Sequence, residues 1–228
     1  MREKVVVSWS GGKDSCLALY EIQKNQGYEV AALLTTVTRD SDRISMHGVR
    51  RVLLERQVEA IGLPLEQILI TRGATNKEYE SKMKEVLSLY REKGIKTVVF
   101  GDLFLEDIKQ YREHMLEPLG IRGLFPIWKR NTSDLIREFM DSGFEAVVTC
   151  VDPKALDSSF AGRTIDNEFI AQLPPGVDPC GENGEFHTFV YAGPLFKKEV
   201  KVRAGGVVLR DGFYFCDLRV NRIPPHGR

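Results

Sequence analysis

Short apolar runs alternate along this chain with longer stretches in which apolar residues recur every three or four positions. Residues 4–9, Lys-Val-Val-Val-Ser-Trp, read as a buried strand. Residues 15–25 then read as a helix with Leu17, Ala18 and Ile22 on one face, closed by Gly27. The alternation continues with strands over 30–37, 65–70 and 97–100. Helices are predicted over 49–61, 77–93 and 105–116, the middle one highly charged and stopped by Gly94. Parallel strands need crossovers long enough to hold a helix, so the pattern predicts an α/β fold: a parallel sheet with helices on both faces. Ligands of such sheets bind beyond the carboxyl ends of the strands.

The texture changes near residues 124–129. A helix over 132–142 and a strand over 145–151 lead into a stretch rich in Pro, Gly and Asp, residues 152–185. The tail, 186–220, reads as antiparallel β with a turn at Asp211-Gly212. The expected organisation is a first domain over residues 1–127 and a smaller α+β domain over 128–228.

Composition narrows the function classes. The 228 residues suffice for a sizeable core, and 32 basic residues balance 32 acidic ones, which argues against a broad nucleic-acid surface. Cys16, Cys150, Cys180 and Cys216 are scattered without a C-x-x-C pair, so neither a zinc nor an iron–sulfur signature is present, and buried thiols in a reducing compartment are expected. The run Val5-Val6-Val7 is too short for a signal-peptide core, and no later segment reaches membrane-spanning length. The expectation is a soluble, cytoplasmic protein, its oligomeric state left open.

The sharpest chemical signal is Ser10-Gly11-Gly12-Lys13-Asp14-Ser15, between the first strand and the first helix. Paired glycines turn the backbone tightly and bring N–H groups close to an anion. Ser10 and Ser15 add hydroxyls, Lys13 adds a positive charge, and the helix aims its positive end at the same point. Neither the G-x-x-x-x-G-K-[ST] loop nor the G-x-G-x-x-G fingerprint is present. The segment is instead similar to the S-G-G-x-D-S loop of the PP-loop ATP pyrophosphatases. That resemblance implies the adenine-nucleotide α-hydrolase (HUP-type) fold, ATP cleaved between its α and β phosphates, and the pyrophosphate portion held on residues 10–15. Asp14 is then a candidate Mg2+ ligand. Leu34 and Thr35, closing the second strand, are candidate adenine contacts. Gly101 and Asp102, ending the fourth, permit close approach to the nucleotide. His47, just before the second helix, is a further candidate contact.

Further segments resemble the diphthine–ammonia ligase branch: Gly101-Asp102-Leu103-Phe104-Leu105-Glu106-Asp107 with Tyr111-Arg112-Glu113, Phe125-Pro126-Ile127-Trp128, and Asp178 through Thr188 with Gly181-Glu182-Asn183-Gly184-Glu185-Phe186-His187 at its centre. The resemblance spans nearly the whole chain. It implies that a carboxylate is adenylated with release of pyrophosphate and that ammonia displaces AMP to give an amide. Lys13, Asp14, Glu182 and Glu185 are the implied catalytic residues. Glu106, Tyr111, Arg112, Asn183, Gly184, His187 and Thr188 are the implied substrate contacts. The implied partners are ammonia and a carboxylate acceptor, elongation factor 2 carrying diphthine. Asn183 and His187 depart from the family's G-E-G-G-E-[FY]-E-T pattern and resemble a bacterial side branch, for which the same chemistry on a small-molecule carboxylate, in cobalamin salvage, is the alternative. A tRNA-modifying adenylation and an ATP sensor without turnover are further alternatives. No basic RNA-binding segment or cysteine pair supports the former, and the polar constellation over 178–188 has no purpose in the latter.

Overall fold

The structure, a computed structural model, describes residues 1–44 and 48–221. His47 therefore lies outside the described residues. Five parallel strands form the first sheet: β1 (Glu3–Ser8), β2 (Tyr28–Thr38), β4 (Leu65–Ile70), β5 (Thr97–Val99) and β6 (Arg122–Leu124), with the two-residue β3 (Arg43–Ile44) antiparallel to the end of β2. Between them run α1 (Lys13–Lys24), α2 (Arg51–Ile61), α3 (Asn76–Glu92) and α4 (Glu106–Leu116). At Leu33 and Leu34, strand β2 pairs with β1 on one edge and with β4 on the other. The sheet order is thus β4-β2-β1-β5-β6. From β1 the chain walks outward to β4, then crosses to β5 on β1's other side. That reversal makes the carboxyl end of β1 a topological switch point, where a crevice opens.

Alternation along β1 fixes the layers. Val5 and Val7 join a core with Leu17 of α1 and Leu53 and Leu54 of α2. Val6 points the other way, into a core with Met83 and Leu87 of α3 and Met115 and Leu116 of α4. Helices thus cover both faces, as the alternation predicts.

The remainder builds α5 (Thr132–Asp141), β7 (Glu145–Val151), the short α6 (Asn167–Ala171), β8 (Phe186–Ala192), β9 (Val202–Arg203), β10 (Val207–Arg210), β11 (Phe213–Cys216) and β12 (Arg219–Val220). An antiparallel sheet runs β10-β11-β7-β8, and β9 pairs with β12. The β10–β11 turn places Asp211 at φ 51° and Gly212 at φ 85°, the left-handed pair that matches strand twist in a tight hairpin. Phe139, Val148, Phe189 and Leu218 from this half share the core that holds Val5 and Leu17. The second sheet therefore packs on the α1 side of the first.

Two features depart from the sequence reading. Strand β6 carries no apolar run. Arg122-Gly123-Leu124 becomes a strand because the exposed edge of β5 offers it a ladder, Thr97 to Val99 pairing with Arg122 to Leu124. Helix α1 starts at Lys13, two residues earlier than the apolar periodicity indicates, with Gly12 as its N-cap. Lys13, Asp14 and Ser15 are thus its first turn, where amides lack intrahelical partners.

Candidate active site

The loop between β1 and α1 is held from below by residues distant in sequence. Gly11 sits at φ 78°, and a Cβ there would lie 2.7 Å from Gln57 Oε1, so both backbone angle and space require glycine. Gln57 of α2 is fully buried. Its Nε2 donates to Gly11 O at 2.8 Å and to Val190 O at 2.6 Å, while its Oε1 accepts from Trp9 Nε1 at 3.0 Å. From β8, Val190 N donates to Gly11 O at 2.9 Å and Thr188 Oγ1 accepts from Lys13 N at 3.0 Å. Inside the loop, Ser15 Oγ donates to Gly12 O at 2.9 Å and lies 3.3 Å from Ser10 Oγ.

Above the loop lies a cleft of about 520 Å³. Lys13 lines it although its side chain is 2% exposed, and its ammonium donates to both Asp14 oxygens, at 2.8 and 2.9 Å. Burial alone would lower the pKa of Lys13, but Asp14 beside it holds it above the ordinary value, so the charge persists. Burial raises the Asp14 carboxyl against the pull of Lys13, although 32% of that side chain stays open to the cleft.

The walls come from four other strand ends and loops. Thr35, towards the carboxyl end of β2, is 3% exposed, and its hydroxyl has no hydrogen-bond partner within the described residues. Past β5, a Cβ on Gly101 would meet Asp14 C and O at 2.7 Å. Glycine thus permits a close approach to the β1–α1 loop, and Gly101 also lines the cleft. Asp102 accepts from Arg112 at 2.6 and 3.0 Å, and the guanidinium stacks 4.5 Å from the Phe100 ring centroid. The fourth wall is Glu182, whose Oε1 accepts from Leu103 N at 2.8 Å and Phe104 N at 3.3 Å. Burial pushes its carboxyl up to about 7, the two amides and Lys13 pulling against the push and Asp14 adding to it.

The family models of the diphthamide synthase N-terminal and C-terminal domains match residues 3–123 and 131–220. The chain belongs to the diphthamide synthase family. Among curated relatives, diphthine–ammonia ligase of Homo sapiens is 29% identical over 96% of this chain and 90% of its own length. The Danio rerio ligase is 29% identical over 94% and 92%. The Schizosaccharomyces pombe ligase is 26% identical over 95% of this chain but 39% of its own length.

For a diphthamide synthase relative, the distribution of the sequence candidates is informative. Ser10, Lys13, Asp14, Ser15, Leu34, Thr35, Gly101, Asp102, Arg112, Glu182, Gly184, His187 and Thr188 line this cleft, with Gly11 and Gly12 shaping its floor. Asn183, Glu185, Glu106 and Tyr111 are not among its lining residues. Glu185 is 7% exposed. Its Oε1 accepts from Asp178 N at 3.0 Å and Asn183 Nδ2 at 2.9 Å, so these two side chains hold the 178–185 loop that presents Glu182. Glu106 faces Lys129 at 3.9 Å, and the Tyr111 hydroxyl is pushed up to about 12 by burial and by Glu80. Sequence reasoning missed Gln57, although a signal existed: a polar residue on the apolar stripe of α2, three after Leu54 and four before Ile61. It also missed Trp9, Phe100 and Tyr79, apolar or aromatic positions indistinguishable in sequence from core.

Proposed function

We propose that this chain is an ATP-dependent carboxylate–ammonia ligase of the diphthine–ammonia ligase type, with residues 1–127 holding the nucleotide and 128–228 supplying the wall against which the acceptor reacts. The observation that carries the reading is the convergence, in one cleft, of a buried ammonium on an anion-binding helix terminus with a carboxylate that titrates near neutrality. Lys13 and the amides of the first turn of α1 are suited to negative charge on a departing pyrophosphate. In the first step an acceptor carboxylate oxygen attacks the α-phosphorus. The bond to the bridging oxygen breaks, and its electron pair leaves with pyrophosphate. In the second step ammonia attacks the acyl carbon, the carbon–oxygen bond to AMP breaks, and the surplus proton on nitrogen passes to Glu182. A carboxylate with a pKa near 7 is ionised often enough to accept that proton at neutral pH.

Mg2+ is part of the proposal. No cluster of three or more His, Cys, Asp or Glu ligands occurs among the described residues. The residues instead fit an ion carried on the phosphates, with Asp14 as its protein ligand, the usual manner of phosphate-borne Mg2+. Bound there, it would neutralise charge on the triphosphate. No helix among the described residues is long and apolar enough to cross a membrane, and the four buried cysteines are free thiols, which suits the proposed cytoplasmic location.

The test is to incubate the protein with ATP, Mg2+, ammonium and elongation factor 2 bearing diphthine, and to read nucleotides and modified factor by mass spectrometry. AMP, pyrophosphate and an amidated factor support the assignment. ADP, or no turnover, overturns it.

A further inference from the structure

A second cavity, of about 320 Å³, lies beside the nucleotide cleft. Ile44 and His187 line both, so the two share a wall. Its own lining brings together Arg43, Arg72 and Arg210 with a single carboxylate, Asp211, and the rings of Phe213 and Phe215. The arginines come from β3, from the loop after β4 and from the β10–β11 hairpin, segments far apart in sequence. Their charge is only partly answered. Asp211 is shared by Arg72, at 2.9 Å, and Arg210, at 3.8 Å. Arg43 reaches Asp217 at 2.9 Å, but Arg50 and Arg219 claim the same carboxylate at 2.9 and 3.0 Å. Among the described residues these five guanidinium groups share two carboxylates, Asp211 and Asp217, while Asp40 accepts from the Arg72 backbone N–H at 3.0 Å. The Asp217 carboxyl is held far below the usual carboxylate range, foremost by its hydrogen bonds from Arg50, as an excess of positive charge requires.

We infer that this second cavity receives the acceptor: its arginines pair with the carboxylate of the arm, its phenyl rings pack the rest of the arm, and the carboxylate passes His187 to reach the α-phosphate. The inference rests on the ligase reading and adds to it the route by which the substrate enters. An acceptor must approach the α-phosphate without displacing the nucleotide, and a cavity that shares Ile44 and His187 with the cleft provides that approach. Guanidinium groups suit the task because their planar donors match a carboxylate in pairs. Arg210 already lies 4.4 Å from the Phe215 ring centroid, which orients its fork while leaving 38% of the side chain exposed.

The experiment uses the double variant Arg72→Gln/Arg210→Gln in the full chain. Both residues are substantially exposed, and an unchanged melting temperature shows that the variant folds. With diphthine-bearing elongation factor 2, the acceptor KM should rise about tenfold or more while the ATP KM stays within about twofold. Equal acceptor KM in variant and wild type overturns the inference. If the wild type does not amidate the factor at all, the ligase reading falls, and a second measurement still judges the cavity. Protein saturated with α,β-methylene-ATP is titrated with glutarate as a carboxylate probe, and the arginine Nε–Hε resonances are followed by NMR. Glutarate-dependent shifts at Arg72 and Arg210 support the inference. Shifts on adding the nucleotide alone, or none with glutarate, overturn it.

Discussion

Gln57→Glu changes one amide nitrogen to oxygen at the most connected buried point under the phosphate loop. In the wild type that nitrogen donates to the carbonyls of Gly11 and Val190 at 2.8 and 2.6 Å, and the side chain is 0% exposed. An ionised carboxylate at this position would set a negative oxygen against two carbonyl oxygens, so the folded state must keep it protonated, with one donor where there were two. A buried glutamate of this kind has a folded pKa of about 8 to 9, against about 4.3 unfolded. Because the folded pKa lies above the unfolded one, the folded variant holds more protons between those values. Its stability therefore falls as pH rises through that window. At pH 8 the shift of about four units costs about 5 kcal/mol, and the lost hydrogen bond about 1 more; near pH 4.5 only the latter remains. For a chain of this size, at about 2–4 °C per kcal/mol, the Tm deficit is about 12–24 °C at pH 8 and a few degrees at pH 4.5. Calorimetric melts of variant and wild type across that range, taken as a difference, isolate the new group. A deficit that does not change with pH would refute the assigned hydrogen bonds.

The other expectations concern the cleft. At a fixed concentration of free ammonia, amidation by the wild type should rise with pH through about 7 as Glu182 loses its proton; Glu182→Gln should flatten that limb, and a limb that persists at constant free ammonia removes Glu182 as the proton acceptor. The same variant should be the more stable protein above pH 7, because a carboxyl whose folded pKa is raised weakens the fold as pH climbs from its unfolded value, and thermal melts at pH 8 check this. Lys13→Met should abolish AMP formation and destabilise the fold by about 3–5 kcal/mol through the unpaired Asp14. Adding Asp14→Asn should restore denaturant stability but not turnover, and recovery of turnover would sink the phosphate-loop assignment. Gly101→Ala should cut turnover about 100-fold or more while leaving circular dichroism unchanged, since its methyl displaces the Asp14 backbone.

The layered sheet was legible because β1, β2 and α1 carry their periods openly: a run of valines, a longer apolar run, and Leu17, Ala18 and Ile22 on one stripe. The loop was legible because glycine, lysine and serine there have few other physical uses in such density. What the sequence concealed is what partner strands supply. Arg122-Gly123-Leu124 has no strand character of its own and borrows it from β5. Glu182 and Glu185 look equivalent in sequence, yet one leans on the amides of Leu103 and Phe104 in the cleft while the other is turned into its own loop. No local pattern distinguishes them, because the difference depends on contacts about 80 residues away. Gln57 shows the reverse: its position on an apolar stripe was readable, but its partners, Trp9, Gly11 and Val190, were not.

The struts that run from β8 to the phosphate loop bear on how the protein is made. Thr188 and Val190, which hold the Lys13 amide and the Gly11 carbonyl, emerge from the ribosome about 175 residues after them. The α/β layers can collapse as they appear, since domains fold as units during synthesis. The nucleotide loop cannot take its final shape with them. A nascent chain that ends before β8 lacks both struts, and its nucleotide loop is expected to bind ATP weakly until β8 is added.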